Sequence, residues 1–156
     1  MSSFCFLLVD DEQEFVETVA LRLRQRGFEA ACAFSGTEAL NWLGKNDTVD
    51  VVVLDIGMPD PDGMKVIEIL KEKYPLVEVI MLTGQATIQS AIEAMKLGAF
   101  AYLMKPCKLN DLLSKAEEAA ARKKEREAKI LDARMKPYIS KRERDELISH
   151  ILESKE

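Results

Sequence analysis

Val49-Asp50-Val51-Val52-Val53-Leu54-Asp55, followed by Ile56-Gly57-Met58-Pro59, contains a four-residue apolar run with no polar residue alternating through it. An uninterrupted, β-branched run of this kind is what a strand buried on both faces requires, so a strand is expected over Val49–Asp55. Similar short runs lie on either side, at Phe4–Val9, Phe28–Ala33, Val77–Thr83 and Ala101–Met104. Between them the apolar spacing changes to a helical period. Val16, Val19, Ala20 and Leu23 form a stripe that ends at Gly27, and Leu40 and Leu43 face inward before Gly44. Val66, Ile67, Ile69 and Leu70 precede Tyr74-Pro75, Ile88, Ile92 and Met95 precede Gly98, and a fifth helix starts near Leu109. Strands alternating with helices imply parallel pairing through right-handed crossovers, with helices on both sheet faces. The predicted fold is a doubly wound α/β domain with a five-stranded parallel sheet.

The chain has 156 residues, enough for one domain with an ordinary core, and a formal charge of -5. That charge lacks the basic excess of a dedicated nucleic-acid binder. No apolar run is long enough to cross a membrane, and acids follow Phe4–Val9 where a signal peptide would be cleaved. Three cysteines without paired spacing, and a single histidine, suggest neither a disulfide framework nor a zinc site. A cytoplasmic location is therefore expected. Residues 1–114 hold 10 Lys/Arg against 17 Asp/Glu, whereas residues 115–156 hold 12 against 10 and contain no glycine. Punctuated sequence thus gives way to helix-favouring sequence near residue 115.

Ligands of doubly wound sheets bind at the carboxyl ends of the strands. There the sequence places Asp10-Asp11-Glu12, Asp55, Thr83-Gly84 and, one residue past the last strand, Lys105-Pro106. Two carboxylates about 5 Å apart repel by about 3 kcal/mol at an effective dielectric near 20, so the cluster calls for a cation. Oxygen donors with no nearby His or Cys select a hard ion, and Mg²⁺ is the one that also engages phosphate oxygens. Carboxylate, metal, ammonium and hydroxyl together suit phosphoryl transfer to an aspartate. Taken singly, Asp10-Asp11 reads as a helix cap, Lys105 as a surface charge and Thr83 as a strand end.

Leu8-Val9-Asp10-Asp11-Glu12, Leu54-Asp55-Ile56-Gly57-Met58-Pro59 through Asp62-Gly63, Met81-Leu82-Thr83-Gly84 and Tyr102-Leu103-Met104-Lys105-Pro106 resemble the receiver domain of two-component response regulators. The resemblance covers about residues 4 to 120, and Leu82 to Leu113 is most similar to the nitrogen-regulator (NtrC-like) branch. It implies a flavodoxin-like strand order 2-1-3-4-5 and a phosphorylation-dependent switch rather than an enzyme. Asp55 would accept the phosphoryl group from the phosphohistidine of a sensor histidine kinase or phosphotransfer protein. Asp10, Asp11, Asp55 and the backbone carbonyl of Gly57 would hold Mg²⁺. Lys105 would pair with the carboxylate and then the phosphoryl group, with Pro106 following a cis bond. Thr83 and Tyr102 would relay the change to the surface of the fourth helix, fifth strand and fifth helix, where a downstream target protein docks. From its own surroundings Tyr102 reads equally well as a half-buried strand aromatic.

Two positions depart from the commonest family pattern in ways that bear on dephosphorylation. Gly57, two residues past Asp55, leaves room for water, and Gln85, two residues past Thr83, can orient or obstruct it. Pro61 stiffens the loop before Asp62-Gly63, and Cys107 reads as a loop filler. A haloacid-dehalogenase-type phosphatase needs a second acid at the position of Gly57 and is disfavoured. A phosphorylation-independent scaffold normally shows a damaged acidic pocket, which this sequence does not.

The receiver is assigned to residues 1–120 and a helical extension to residues 121–156. No breaker interrupts the fifth helix before Pro137, and Ser140-Lys141-Arg142-Glu143 has capping-box spacing ahead of Leu147, Ile148, Ile151 and Leu152. The extension is too short for a usual output domain. It reads either as the linker of a larger regulator or as a docking or homodimerisation helix.

Overall fold

The computed structural model describes residues 3–154. Strands β1 (Cys5–Val9), β2 (Glu29–Ala33), β3 (Val51–Leu54), β4 (Glu78–Thr83) and β5 (Ala101–Met104) form one parallel sheet in the order β2-β1-β3-β4-β5. Helices α1 (Gln13–Gln25), α2 (Gly36–Lys45), α3 (Gly63–Lys73) and α4 (Ile88–Lys96) supply the crossovers, and with α5 (Leu109–Arg134) they flank the sheet. A last helix, α6 (Lys141–Glu153), follows a short turn.

β3 is the centre that its sequence implies. Val52 and Leu54 join the core under α2, α3 and α4, while Val51 and Val53 join the core under α1 and α5. Burying a side chain of this size stabilises by roughly 1.5–3 kcal/mol, and β3 does so on both faces at once. α1 ends at Gly27, whose φ of 90° turns the chain into β2 without a Cβ penalty. Side-chain caps start the helices at Ser35, Asp62, Thr87 and Ser140.

In α4 the spaced residues that mark the helix do not face the sheet: Ile88, Ile92 and Met95 are 83%, 52% and 44% exposed. The helix instead turns Ser90, Ala91, Ala94 and Leu97 toward the sheet. Two apolar stripes share one helical period here, and the one built on small residues allows the closer approach to the sheet. With Met104, 64% exposed, the outer stripe leaves an apolar strip along α4 and β5.

The boundary assigned between residues 120 and 121 falls inside α5, which runs unbroken from Leu109 to Arg134. Leu112, Ala116, Ala119, Lys123, Arg126, Ile130 and Ala133 recur at alternating spacings of four and three along one side of it. The first three cover the sheet. Farther along, α6 folds back on α5, with Ile148, Ile151 and Leu152 half-buried. No residue of α6 is fully buried, and Leu147 is 38% exposed.

Lys123 and Arg126 occupy the seam where the sheet's apolar face ends. At the amino end of β4 lies Glu78, fully buried. Arg122 grips both its carboxylate oxygens, at 2.5 and 2.6 Å, while Arg126 and Lys71 approach to 3.8 and 3.7 Å. Beside it, Lys123 pairs with Asp50 at 2.9 Å. Arg126 also donates to the backbone carbonyl of Ser154, tying the end of α6 to the same cluster. Burial pulls the Lys71 ammonium down to about 8 against the raising pull of Glu78. Among the described residues no helix is long and apolar enough to cross a membrane.

Candidate functional site

Asp10, Asp11, Asp55, Thr83 and Lys105 all stand on the carboxyl rim of the sheet, where β1, β3, β4 and β5 end. The strand order reverses between β1 and β3, which opens a crevice at that rim. Carboxylate oxygens of Asp10, Asp11 and Asp55 all lie within 4.8 Å of one another. Asp10 and Asp55 are buried and Asp11 is exposed.

Lys105 is the ammonium of the pocket. Its Nζ donates to Asp10 at 2.6 Å and to Glu12 at 3.2 Å, and stands 4.0 Å from Asp55. It also lies over the Phe15 ring, 4.3 Å from the centroid. The lysine thus rests chiefly on Asp10 rather than on Asp55. Burial pulls the Lys105 pKa down, but hydrogen bonding and charge from Asp10, Asp55 and Glu12 outweigh it and the net shift is upward. Burial raises the Asp10 carboxyl, the Asp55 charge adds to that, and the hydrogen bonds from Lys105 and the Glu12 N–H compensate only in part.

One ammonium faces four carboxylates. The excess of negative charge and a donor cluster that, among the described residues, is made of carboxylates alone fit a hard divalent cation. Gly57 follows Asp55 in the loop after β3. The room it leaves is not open: the Gln85 carboxamide fills it, with its atoms 3.2–3.3 Å from where a Cβ would stand. Gly63, first residue of α3, packs so tightly behind the site that a Cβ would come 2.2 Å from the Asp55 carbonyl oxygen.

Thr83 is fully buried, and its Oγ1 accepts the Gln85 N–H at 3.1 Å. Tyr102 is half-buried on the α4 side of the sheet, and its hydroxyl lies 2.6 Å from Ser90 Oγ. Phe15 and Ser90 are neighbours that the sequence reading does not single out, and Glu12, named there at the end of the first strand, is given no role. Phe15 lies in the first turn of α1, just after the acidic run, and Ser90 depends on how α4 docks. Cys107 is half-buried with its pKa raised by burial, as a loop filler would be.

A doubly wound parallel sheet of this order, with an acidic pocket, a buried hydroxyl and a lysine on one rim, is the architecture of a signalling receiver. Residues 6–117 match the family model of the response regulator receiver domain, and the chain belongs to that family. It is 38% identical over 140 residues to an NtrX-like response regulator of Rickettsia conorii, covering 85% of this chain and 29% of that one. A receiver domain from Clostridium thermocellum superposes with a TM-score of 0.74 at 38% identity, covering 78% of this chain and 97% of that one. NtrX from Brucella abortus, solved in complex with ADP, gives a TM-score of 0.75 at 31% identity, covering 85% and 30%. These relatives place the chain in the NtrC-like branch. The chain spans under a third of the length of the Rickettsia regulator.

Proposed function

We propose that this receiver is a Mg²⁺-dependent switch phosphorylated on Asp55. The observation that carries the reading is the grouping of Asp55 with Asp10 and Asp11 within 4.8 Å, with the Lys105 ammonium 4.0 Å away. An Asp55 carboxylate oxygen attacks the phosphorus of a phosphohistidine on a sensor kinase or phosphotransfer protein. The phosphorus–nitrogen bond breaks, and the electron pair leaves with the imidazole nitrogen. Asp10, Asp11, Asp55 and the Gly57 carbonyl would hold Mg²⁺, which when bound offsets charge on the phosphoryl oxygens. Lys105 moves from Asp10 toward the new phosphoryl group, a short shift for a flexible stem.

The phosphoryl group adds roughly two negative charges and new acceptor oxygens. These draw the Thr83 hydroxyl away from the Gln85 N–H and free space for Tyr102 to turn inward. The α4–β5–α5 surface changes with it, and the exposed strip of Ile88, Ile92, Met95 and Met104 supports its role as a site for a target protein rather than nucleic acid. The receiver unit itself extends through Arg126, because Glu78 at the head of β4 and Asp50 just before β3 find their ion-pair partners at residues 122–126. The remaining hairpin with α6 is its docking or dimerisation element. The protein acts in the cytoplasm and turns over only its own phosphoryl group.

Incubation with Mg²⁺ and a small acyl phosphate should label the wild type, with the label lost to hydroxylamine, and should not label Asp55→Ala. A label that survives hydroxylamine or persists in the variant rejects the assignment. Withholding Mg²⁺ should also abolish labelling.

Gln85 closes the approach to Asp55 over Gly57. Gln85→Ala is therefore expected to admit water and shorten the lifetime of the phosphorylated form severalfold, measured by loss of label over time. An unchanged or longer lifetime would show that Gln85 is not the barrier.

A further inference from the structure

Tyr102 does not end in open solvent: its hydroxyl meets Ser90 Oγ at 2.6 Å, and both residues are half-buried. Ser90 is already engaged. It is the third residue of α4, and its N–H donates to the Thr87 hydroxyl at 3.0 Å while the Thr87 N–H donates back to its Oγ at 3.2 Å. Its hydroxyl also reaches the Thr87 carbonyl oxygen at 3.1 Å and the Thr87 hydroxyl at 2.9 Å. A serine hydroxyl has one proton and two lone pairs, so Ser90 is shared between the cap and Tyr102, and either hydroxyl can donate in the Tyr102 contact.

We propose that Ser90 is a positioning residue that latches Tyr102 outward and ties its orientation to the first turn of α4. The inference rests on the Thr83–Tyr102 relay proposed above and names what that relay must break. While the latch is closed, the capping turn of α4 and the Tyr102 ring form one hydrogen-bonded unit. When Tyr102 turns inward, Ser90 loses a hydrogen-bond partner and the cap is free to rearrange. The resting balance between the two states is then set by one neutral hydrogen bond, whose net worth corresponds to roughly a fivefold population ratio.

The test uses the full chain. Backbone amide shifts across α4 are recorded for the free protein and with Mg²⁺ and beryllium fluoride, a mimic of the phosphoryl group, which define the two endpoints. Ser90→Ala and Tyr102→Phe should each move the free protein toward the second endpoint, by roughly fivefold in population ratio. The double variant should go no further, and Ser90→Thr should return to the wild-type position. Tyr102→Phe leaves the Thr87–Ser90 cap untouched, so a serine that only caps α4 would show no effect of that variant, or additive effects in the pair. Either outcome overturns the latch. If the wild type itself fails to respond to Mg²⁺ and beryllium fluoride, the Asp55 reading falls, and the latch with it, before any variant is made.

Discussion

Arg122→Ala is expected to destabilise the protein by about 3–5 kcal/mol, seen as a fall in the urea midpoint with little change in slope. Glu78 is fully buried, and among the described residues Arg122 is the partner in bidentate contact, at 2.5 and 2.6 Å. Removing the guanidinium leaves a buried carboxylate with Lys71 and Arg126 at 3.7 and 3.8 Å, near enough to soften the loss but not to replace two direct hydrogen bonds. The Arg122 guanidinium also lies 4.7 Å from the Phe100 ring centroid, so packing is lost with the charge. A small domain has a net stability of only about 5–15 kcal/mol, and such a loss is a large share of it. Arg122→Lys keeps the charge and loses the planar fork, so it should recover only part. A chain cut after residue 120 removes Arg122, Lys123 and Arg126 together and should fail to fold cooperatively. A loss below about 1 kcal/mol in Arg122→Ala would mean that Lys71 and Arg126 suffice to hold Glu78.

This cluster also marks the limit of what sequence reading reached. The five strands were legible because each is a short apolar run closed by turn residues. Asp10, Asp11, Asp55, Thr83 and Lys105 were legible because they end those runs, and the strand ends of a parallel sheet lie on one rim. The anchoring charges were not. Arg122 to Lys129 mixes charges, as a solvated helix does, and nothing in that run announces a buried partner 44 residues away. A signal was present in the phase. Lys123 and Arg126 continue the spacing of Leu112, Ala116 and Ala119, and Glu78 opens a strand whose next four residues are Val-Ile-Met-Leu. Two charges in register with a buried seam, and an acid at the head of a buried strand, are a pair waiting to be matched. The facing of α4 was missed for a different reason. Both of its stripes have the right period, and only the docking distance to β5 prefers the stripe built on alanine.

Gly63→Ala is expected to be the most damaging of the glycine substitutions around the pocket, and comparison with Gly57→Ala makes the reason testable. At Gly63 the added methyl would stand 2.2 Å from the Asp55 carbonyl oxygen and 2.7 Å from Ile56 Cα. Those atoms are backbone, held by the β3 ladder on one side and by the Gly63 N–H to Ile56 carbonyl bond of 3.2 Å on the other. Neither can yield without moving the loop that presents Asp55, so the start of α3 must shift away at a cost of about 3 kcal/mol or more. At Gly57 the methyl would meet only the Gln85 carboxamide, the end of a flexible side chain, at 3.2 Å. Gly57→Ala should therefore change stability by less than about 1 kcal/mol. The two variants separate packing from chemistry. Gly63→Ala should lower the urea midpoint and the labelling rate together, since the Asp55 carboxylate is carried off its register with Asp10 and Asp11. Gly57→Ala should leave the midpoint alone and alter only the lifetime of the phosphorylated form. Equal midpoints for both variants would show that the loop between Asp55 and Gly63 is compliant, and that Asp55 is positioned by the strand alone.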